Sequence, residues 1–310
     1  MAYDDLRDWI KALEKAGELR RIREEVSPEL EITEITDRVS KTGGPALLFE
    51  NVKGHPGHQV FINQFGSERR MAMSLGVDSL DAIAERITGL LNLKAPEGFL
   101  DKLKMLPQLG ALTSAFPKTV SAKNAPCKEM IRRDGFKLDY FPILKCWPHD
   151  GGRFITLPCV VTRDPRSGKR NIGMYRMQVY DGQTTGMHWQ RQKVAAEHYR
   201  NAMRNAAAAN STENPLTASV AAMAESAGGA CAIPDGPIGG LPQVALGNLK
   251  GSRLEVAVAI GTDPATTFAA IVPAPPEVEE YLIAGFLRGS PVEIVQCETV
   301  DLQEIGRAHV

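Results

Sequence analysis

The spacing of apolar and polar residues changes character near residue 110. Before that point helical and strand periods take turns. Residues 4–16 set Leu6, Trp9, Ile10 and Leu13 on one helical face, and Gly17 stops the helix. From Glu18 to Val26, Leu19, Ile22 and Val26 stand among charges, as in an exposed strand. Ser27-Pro28 predicts the next helix start, with Ser as cap and Pro in the first turn. That helix runs to about Lys41 with Leu30, Ile32, Ile35 and Val39 inward, and Gly43-Gly44-Pro45 ends it. Strands are predicted at Ala46 to Asn51 and Gln59 to Gln64, and helices near 67–75, 78–92 and 98–106. Residues 1–110 therefore read as an α+β domain.

Residues 107–136 carry Pro and Gly and read as a connector. Phe141-Pro142-Ile143-Leu144 and Trp147-Pro148 are extended by proline geometry. From Phe154 the period becomes that of strands: Ile155 to Thr162, Arg170 to Tyr180, Gly186 to Gln190, Arg253 to Ile260 and Val292 to Cys297. Helices interrupt near Pro264–Ile271 and Glu277–Leu287. This pattern predicts a β-barrel-like second domain over 111–303. Residues 201–250 interrupt it, Ala-rich first and Gly/Pro-rich later. They read as an insertion whose 201–227 part is a helix candidate. The last seven residues, Glu304 to Val310, follow neither period and read as a non-native tail.

The densest chemistry lies between Gly168 and Gln190, which reads as two strands around an Asp181-Gly182 turn. On the first strand Asn171, Gly173, Tyr175, Met177 and Val179 share one face, with Ile172, Met174, Arg176 and Gln178 on the other. Polar groups thus interrupt both faces. An amide, a guanidinium, an imidazole and an indole so close together suggest a lined site for an anionic ligand. The His149-Asp150-Gly151-Gly152 run is a further candidate, because glycines permit close backbone approach. By periodicity alone Arg176 would be an ordinary strand arginine, and Glu280, beside Glu277 and Glu279, part of a solvated helix face.

Composition narrows the classes. The chain has 310 residues, 43% hydrophobic and 24% charged, and a net charge of −1, so no broad nucleic-acid field is expected. No apolar run reaches the roughly 20 residues of a membrane span, and no leader is read at the N-terminus, so a cytoplasmic location is expected. The five cysteines form no C-x-x-C pair and read as reduced thiols; no H-E-x-x-H, P-loop or G-x-G-x-x-G run appears.

Ordered motifs along the chain carry a resemblance: Asp5-Leu-Arg-Asp-Trp9, Gly17-Glu-Leu-Arg-Arg-Ile22, Glu31-Ile-Thr-Glu-Ile35 and Gly43-Gly-Pro-Ala-Leu-Leu-Phe-Glu-Asn51. They continue with Pro142-Ile143 through Trp147-Pro148, Asn171-Ile-Gly-Met-Tyr-Arg176, Gly261-Thr-Asp-Pro-Ala265, and Glu280-Tyr281 with Ala284-Gly285 and Arg288-Gly289. In these the chain resembles the UbiD family of decarboxylases, the 3-polyprenyl-4-hydroxybenzoate carboxy-lyase group.

The resemblance implies an N-terminal α/β domain, a split β-barrel like those of flavin reductases, and a C-terminal oligomerisation domain that this chain lacks. It implies prenylated FMN held through a divalent metal, usually Mn2+, and reversible decarboxylation of an aromatic acid. The first candidate acid is a 3-polyprenyl-4-hydroxybenzoate of ubiquinone synthesis, with related hydroxybenzoates next. Metal ligands fall on Asn171 and Glu280. Cofactor contacts fall on Met174, Tyr175, Arg176, His188, Trp189, Gln190, Lys193 and Val194, and Arg176 matches the catalytic arginine. Gln192 stands where the family often has a metal-binding histidine, and its amide would bind more weakly. The family's proton-donating acids lie past the end of the chain, so the fragment is expected to be inactive. The alternative is a flavin- or metal-phosphate-binding module without turnover. Implied partners are a flavin prenyltransferase as cofactor supplier and a homo-oligomer (hexamer or dimer), with peripheral membrane contact through a prenylated substrate.

Overall fold

In the computed structural model, residues 3–91, 115–211, 253–274 and 278–307 are described. The first unit is built on one buried strand. Strand β2 (Ala46–Phe49) pairs in parallel with β1 (Leu19–Ile22) and antiparallel with β3 (Val60–Ile62). All four residues of β2 are buried, because helices cover both faces. Helix α1 (Leu6–Lys15) presents Trp9 and Leu13 to Ala46; α2 (Glu31–Lys41) presents Ile32 to Leu47 and Phe49. The predicted periodicity accounts for both helices, and Asp5 caps α1 by accepting from the Asp8 N–H.

The start of α2 corrects the Ser27 cap. The helix begins at Glu31 behind Leu30, whose φ of 65° is left-handed. Ser27 instead shapes the turn before it: its hydroxyl accepts from the Glu29 N–H, and its own N–H donates to the Glu31 carboxylate. Helices α3 (Glu68–Ser74) and α4 (Leu80–Leu91) follow as expected; the predicted helix at 98–106 lies outside the described residues.

The second unit is β-rich, so the whole is a mixed α+β fold. Short strand β4 (Lys118–Thr119) lies inside the predicted connector and pairs in parallel with β11 (Glu293–Gln296). Strand β6 (Cys159–Arg163) is flanked by β7 (Arg170–Met174) and β10 (Val256–Ala259), both antiparallel to it. A separate sheet holds β5 (Arg153–Ile155), β8 (Met177–Val179) and β9 (Thr185–Met187). Helix α5 (Val194–Ser211) begins before the predicted insertion, and α6 (Pro264–Ala269) and α7 (Glu280–Arg288) pack on the opposite side of β6–β7.

Three expectations change here. The long strand from Arg170 to Tyr180 is two strands in two sheets, because the Met174 N–H bonds Ala270 O and the chain turns at Tyr175-Arg176. The two faces expected to run from Asn171 to Val179 are therefore broken, and Asn171, Ile172 and Gly173 are all buried, between α5 and the α6–α7 pair. The end of the chain also has strand logic. β12 (Gln303–Ile305) pairs with β11, Ile305 is buried, Glu304 binds Lys128 at 2.7 Å, and Arg307 binds Glu293 at 2.6 Å.

The two units are joined by packing and backbone bonds. Lys145 N–H donates to Pro28 O and Leu30 N–H to Lys145 O, while the Phe65 and Phe268 rings pack with centroids 4.7 Å apart. We expect Ile305→Ala to cost about 2–5 kcal/mol, as for buried Ile truncations in general. Chemical denaturation checks this; an unchanged midpoint would show that residues 303–307 do not belong to the core.

Candidate functional site

The outer edge of β7 is capped by a side chain rather than a strand. Glu280, the first residue of α7, accepts from the Ile172 N–H through Oε2 at 3.0 Å. It is buried, as is Asn171. In the structure the Asn171 side-chain oxygen, not its nitrogen, faces Glu280 Oε1 at 3.0 Å. With the carboxyl ionised, two acceptors meet there. Turning the amide over would give an N–H···O bond, and its oxygen would accept from Ile172 N–H at 3.3 Å. A cation shared by the two oxygens, or a proton on the carboxyl, suits the first orientation; with neither, the turned amide is favoured.

This pair fits a divalent metal. Both donors are hard oxygens, as Mn2+ and Mg2+ prefer. Two ligands at right angles, each about 2.1 Å from an octahedral ion, stand roughly 3.0 Å apart. Burial pushes the Glu280 carboxyl upward, against the opposing pull of the Ile172 N–H. A cation would offset that desolvation. Among the described residues no three His, Cys, Asp or Glu side chains are grouped to hold a metal, so the remaining ligands would come from a phosphate or water.

Tyr175 closes the inner side. Its hydroxyl accepts from the Ala195 N–H at 3.3 Å, in the first turn of α5, and lies within bonding reach of Asn171. Burial raises its pKa. The ring lies across β7 because residue 173 is glycine: a Cβ there would sit 2.3 Å from the Tyr175 hydroxyl oxygen. On the strand opposite, Thr162 pairs with Asn171 in register and bonds His198 Nδ1 at 2.9 Å. Burial lowers the His198 pKa.

Arg176 points out of this core. It pairs with Asp150 at 2.8 and 3.3 Å, which holds its guanidinium above the usual range, and it lies 3.6 Å over the Phe154 ring. Phe154 also lines a cleft of about 660 Å³ between the two units, with Phe61, Phe65, Phe141, Ile155 and Leu157 among its apolar walls.

The structure brings together Asn171, Glu280 and Tyr175. His188 joins Arg176, donating its backbone N–H to Arg176 O at 3.0 Å, and the Trp189 ring lies 6.5 Å from Tyr175. Met174 packs with the core under α6 and α7. Gln190, Gln192 and Val194 are exposed and Lys193 is half-buried. Gln192 donates to Gln190 Oε1 at 3.1 Å, a bond that turns its amide toward the surface segment. Asp150 lies in the His149–Gly152 candidate run, but its pairing with Arg176 and the Thr162–His198 pair were not readable from spacing, since each acts through a partner in another strand or turn.

Two family models match the chain: the 3-octaprenyl-4-hydroxybenzoate carboxy-lyase N-terminal domain over 10–87, and the Rift-related domain of the same family over 118–237 and 242–309. The chain belongs to the UbiD family. An uncharacterized protein of Archaeoglobus fulgidus is 45% identical over 310 residues, covering 100% of this chain and 54% of the relative. Among solved structures, the evolved dimeric UbiD-class enzyme HmfF of Pelotomaculum thermopropionicum in complex with prFMN matches with a TM-score of 0.71. Identity is 26%, with 99% of this chain and 55% of that one covered. The closed form of Sedimentibacter hydroxybenzoicus vanillic acid decarboxylase matches with a TM-score of 0.70 and 26% identity, covering 99% of this chain and 54% of that one. The chain thus spans about half the length of the UbiD relatives it matches.

A carboxyl whose pKa is raised by folding favours the protonated state. Its stabilising contribution is complete below the unfolded value, near 4.5, and is lost as pH rises through the folded one. At neutral pH without metal, Glu280→Gln should therefore melt at or above the temperature of the unaltered chain. With added Mn2+ the order should reverse, because only the carboxylate gains from the cation. Thermal melts at pH 7.5 with and without Mn2+ test this; parallel shifts in both proteins would contradict it.

Proposed function

We propose that this chain is the metal- and flavin-holding part of a non-oxidative, prenylated-FMN-dependent decarboxylase of aromatic acids. The observation that carries the reading is the buried Asn171–Glu280 pair of hard-donor side chains, in the same unit that gives Phe154 to a cleft with aromatic walls. Asn171 and Glu280 would hold Mn2+ or Mg2+ against the cofactor's phosphate. Lys193, just before α5, and the amides of that helix's first turn add positive potential for the phosphate. The prenylated flavin, when bound, supplies the electron sink for the carbon that loses carbon dioxide. The chain's own groups bind and orient: Tyr175 and Trp189 wall the flavin side, and Arg176 takes the carboxylate of the acid.

The cleft suits a hydroxybenzoate ring with room for an apolar substituent, so a 3-polyprenyl-4-hydroxybenzoate is the first substrate to try and an unprenylated hydroxybenzoate the next. The UbiD-class relatives support the chemistry: HmfF is described with prFMN, and the Sedimentibacter protein is a vanillic acid decarboxylase. A flavin prenyltransferase would supply the cofactor, and the longer protein would act as a homo-oligomer. Among the described residues no helix is long and apolar enough to cross a membrane.

Co-expression with a flavin prenyltransferase in medium containing Mn2+ tests the assignment. The purified chain should carry a flavin spectrum, and Asn171→Ala or Glu280→Ala should lower flavin occupancy at least about tenfold. Carbon dioxide release from 4-hydroxybenzoate would establish turnover by this chain. Flavin without release would assign it binding alone. A colourless protein, or unchanged occupancy in both variants, would refute the site.

A further inference from the structure

The turn before β5 does more than connect. Asp150 is mostly buried, with its side chain 13% exposed, and meets both terminal nitrogens of Arg176. Three features fix it there. Its own N–H donates to Trp147 O at 3.1 Å, and the next carbonyl, Gly151 O, accepts from Gln178 Nε2 at 2.8 Å. Gly152 has a φ of 144°, in the region that favours glycine. Strand β5 is then locked to β8 with Phe154 opposite Gln178, which places the Phe154 ring under the guanidinium.

An exposed ion pair alone contributes little. This one has another consequence. Arginine carries five N–H donors in a rigid plane; Asp150 takes two and the Cys146 side chain also meets the guanidinium, leaving the others in a plane fixed by the ring beneath. We propose that Asp150 is a positioning residue: it holds Arg176 flat on Phe154, itself a wall of the cleft, ready for an aromatic carboxylate. The inference rests on the aromatic-acid reading above and adds a residue to it. Without Asp150 the long Arg176 side chain must be ordered by the ligand itself, a cost of about tenfold in affinity.

The test uses Asp150→Asn and Asp150→Glu in the full chain with two readouts. The first is the rate at which phenylglyoxal modifies Arg176, followed by peptide mass spectrometry, with no ligand present. The second is the affinity for 4-hydroxybenzoate and for its uncharged amide, 4-hydroxybenzamide. Asp150→Asn should label several-fold faster and bind the acid about tenfold more weakly while the amide is unaffected. Asp150→Glu should restore both. Equal labelling, or equal losses for acid and amide, would overturn the role of Asp150. If labelling differs but the unaltered chain binds neither compound, the aromatic-acid reading is what fails, and this role falls with it.

Discussion

The site depends on how one strand edge is finished. An edge strand exposes unpaired N–H and C=O groups that must find partners. On β7 the partner of Ile172 is the Glu280 carboxylate, and that of Met174 is the carbonyl of Ala270. The first bond draws a charged group into the core beside Asn171. A buried carboxylate is costly unless it is neutralised, by a proton or by a cation. The Asn171 amide beside it can meet a shared cation with its oxygen or, turned over, the carboxylate with its N–H. The two groups are 109 positions apart in sequence, and the packing of α7 on β7 brings Glu280 to the strand edge.

The rest of the second unit supports that contact from both sides. Tyr281, Ala284 and Ile172 pack with Cys159 and Val161 in one cluster, while Val160, Tyr175 and Ala195 form another across the sheet. Cys159 lies deep in the first, and burial pushes its thiol up to about 12, which makes it an inert packing group. The buried Asp263–Arg288 pair ties the start of α6 to the end of α7, and Arg288 also donates to Tyr3 O in the first unit. The cleft between the units has walls from both.

Much of this was legible in the sequence because it follows local periods. The apolar stripes of α1 and α2 and the run Ala46–Phe49 mark the first unit, and Pro264 and Glu280 open their helices near the predicted positions. The motifs that resemble the UbiD family named Asn171 and Glu280 together, although periodicity alone made Glu280 a solvated residue. What was not legible is set by contacts distant in sequence. The break at Tyr175 depends on a bond to Ala270, the strand at Gln303–Ile305 on its pairing with β11, and the Arg176 environment on a turn 26 residues earlier. Gly173 illustrates the limit. As a strand residue it is merely permissive; only the crossing Tyr175 ring shows why a side chain there has no room.

The central claim is that Asn171 and Glu280 share one cation. Anomalous diffraction from crystals of the chain grown with Mn2+ tests it most directly. A manganese peak bonded to both Asn171 Oδ1 and a Glu280 carboxylate oxygen is predicted. A well-ordered site without the peak, with the Asn171 amide turned to donate to Glu280, would contradict it.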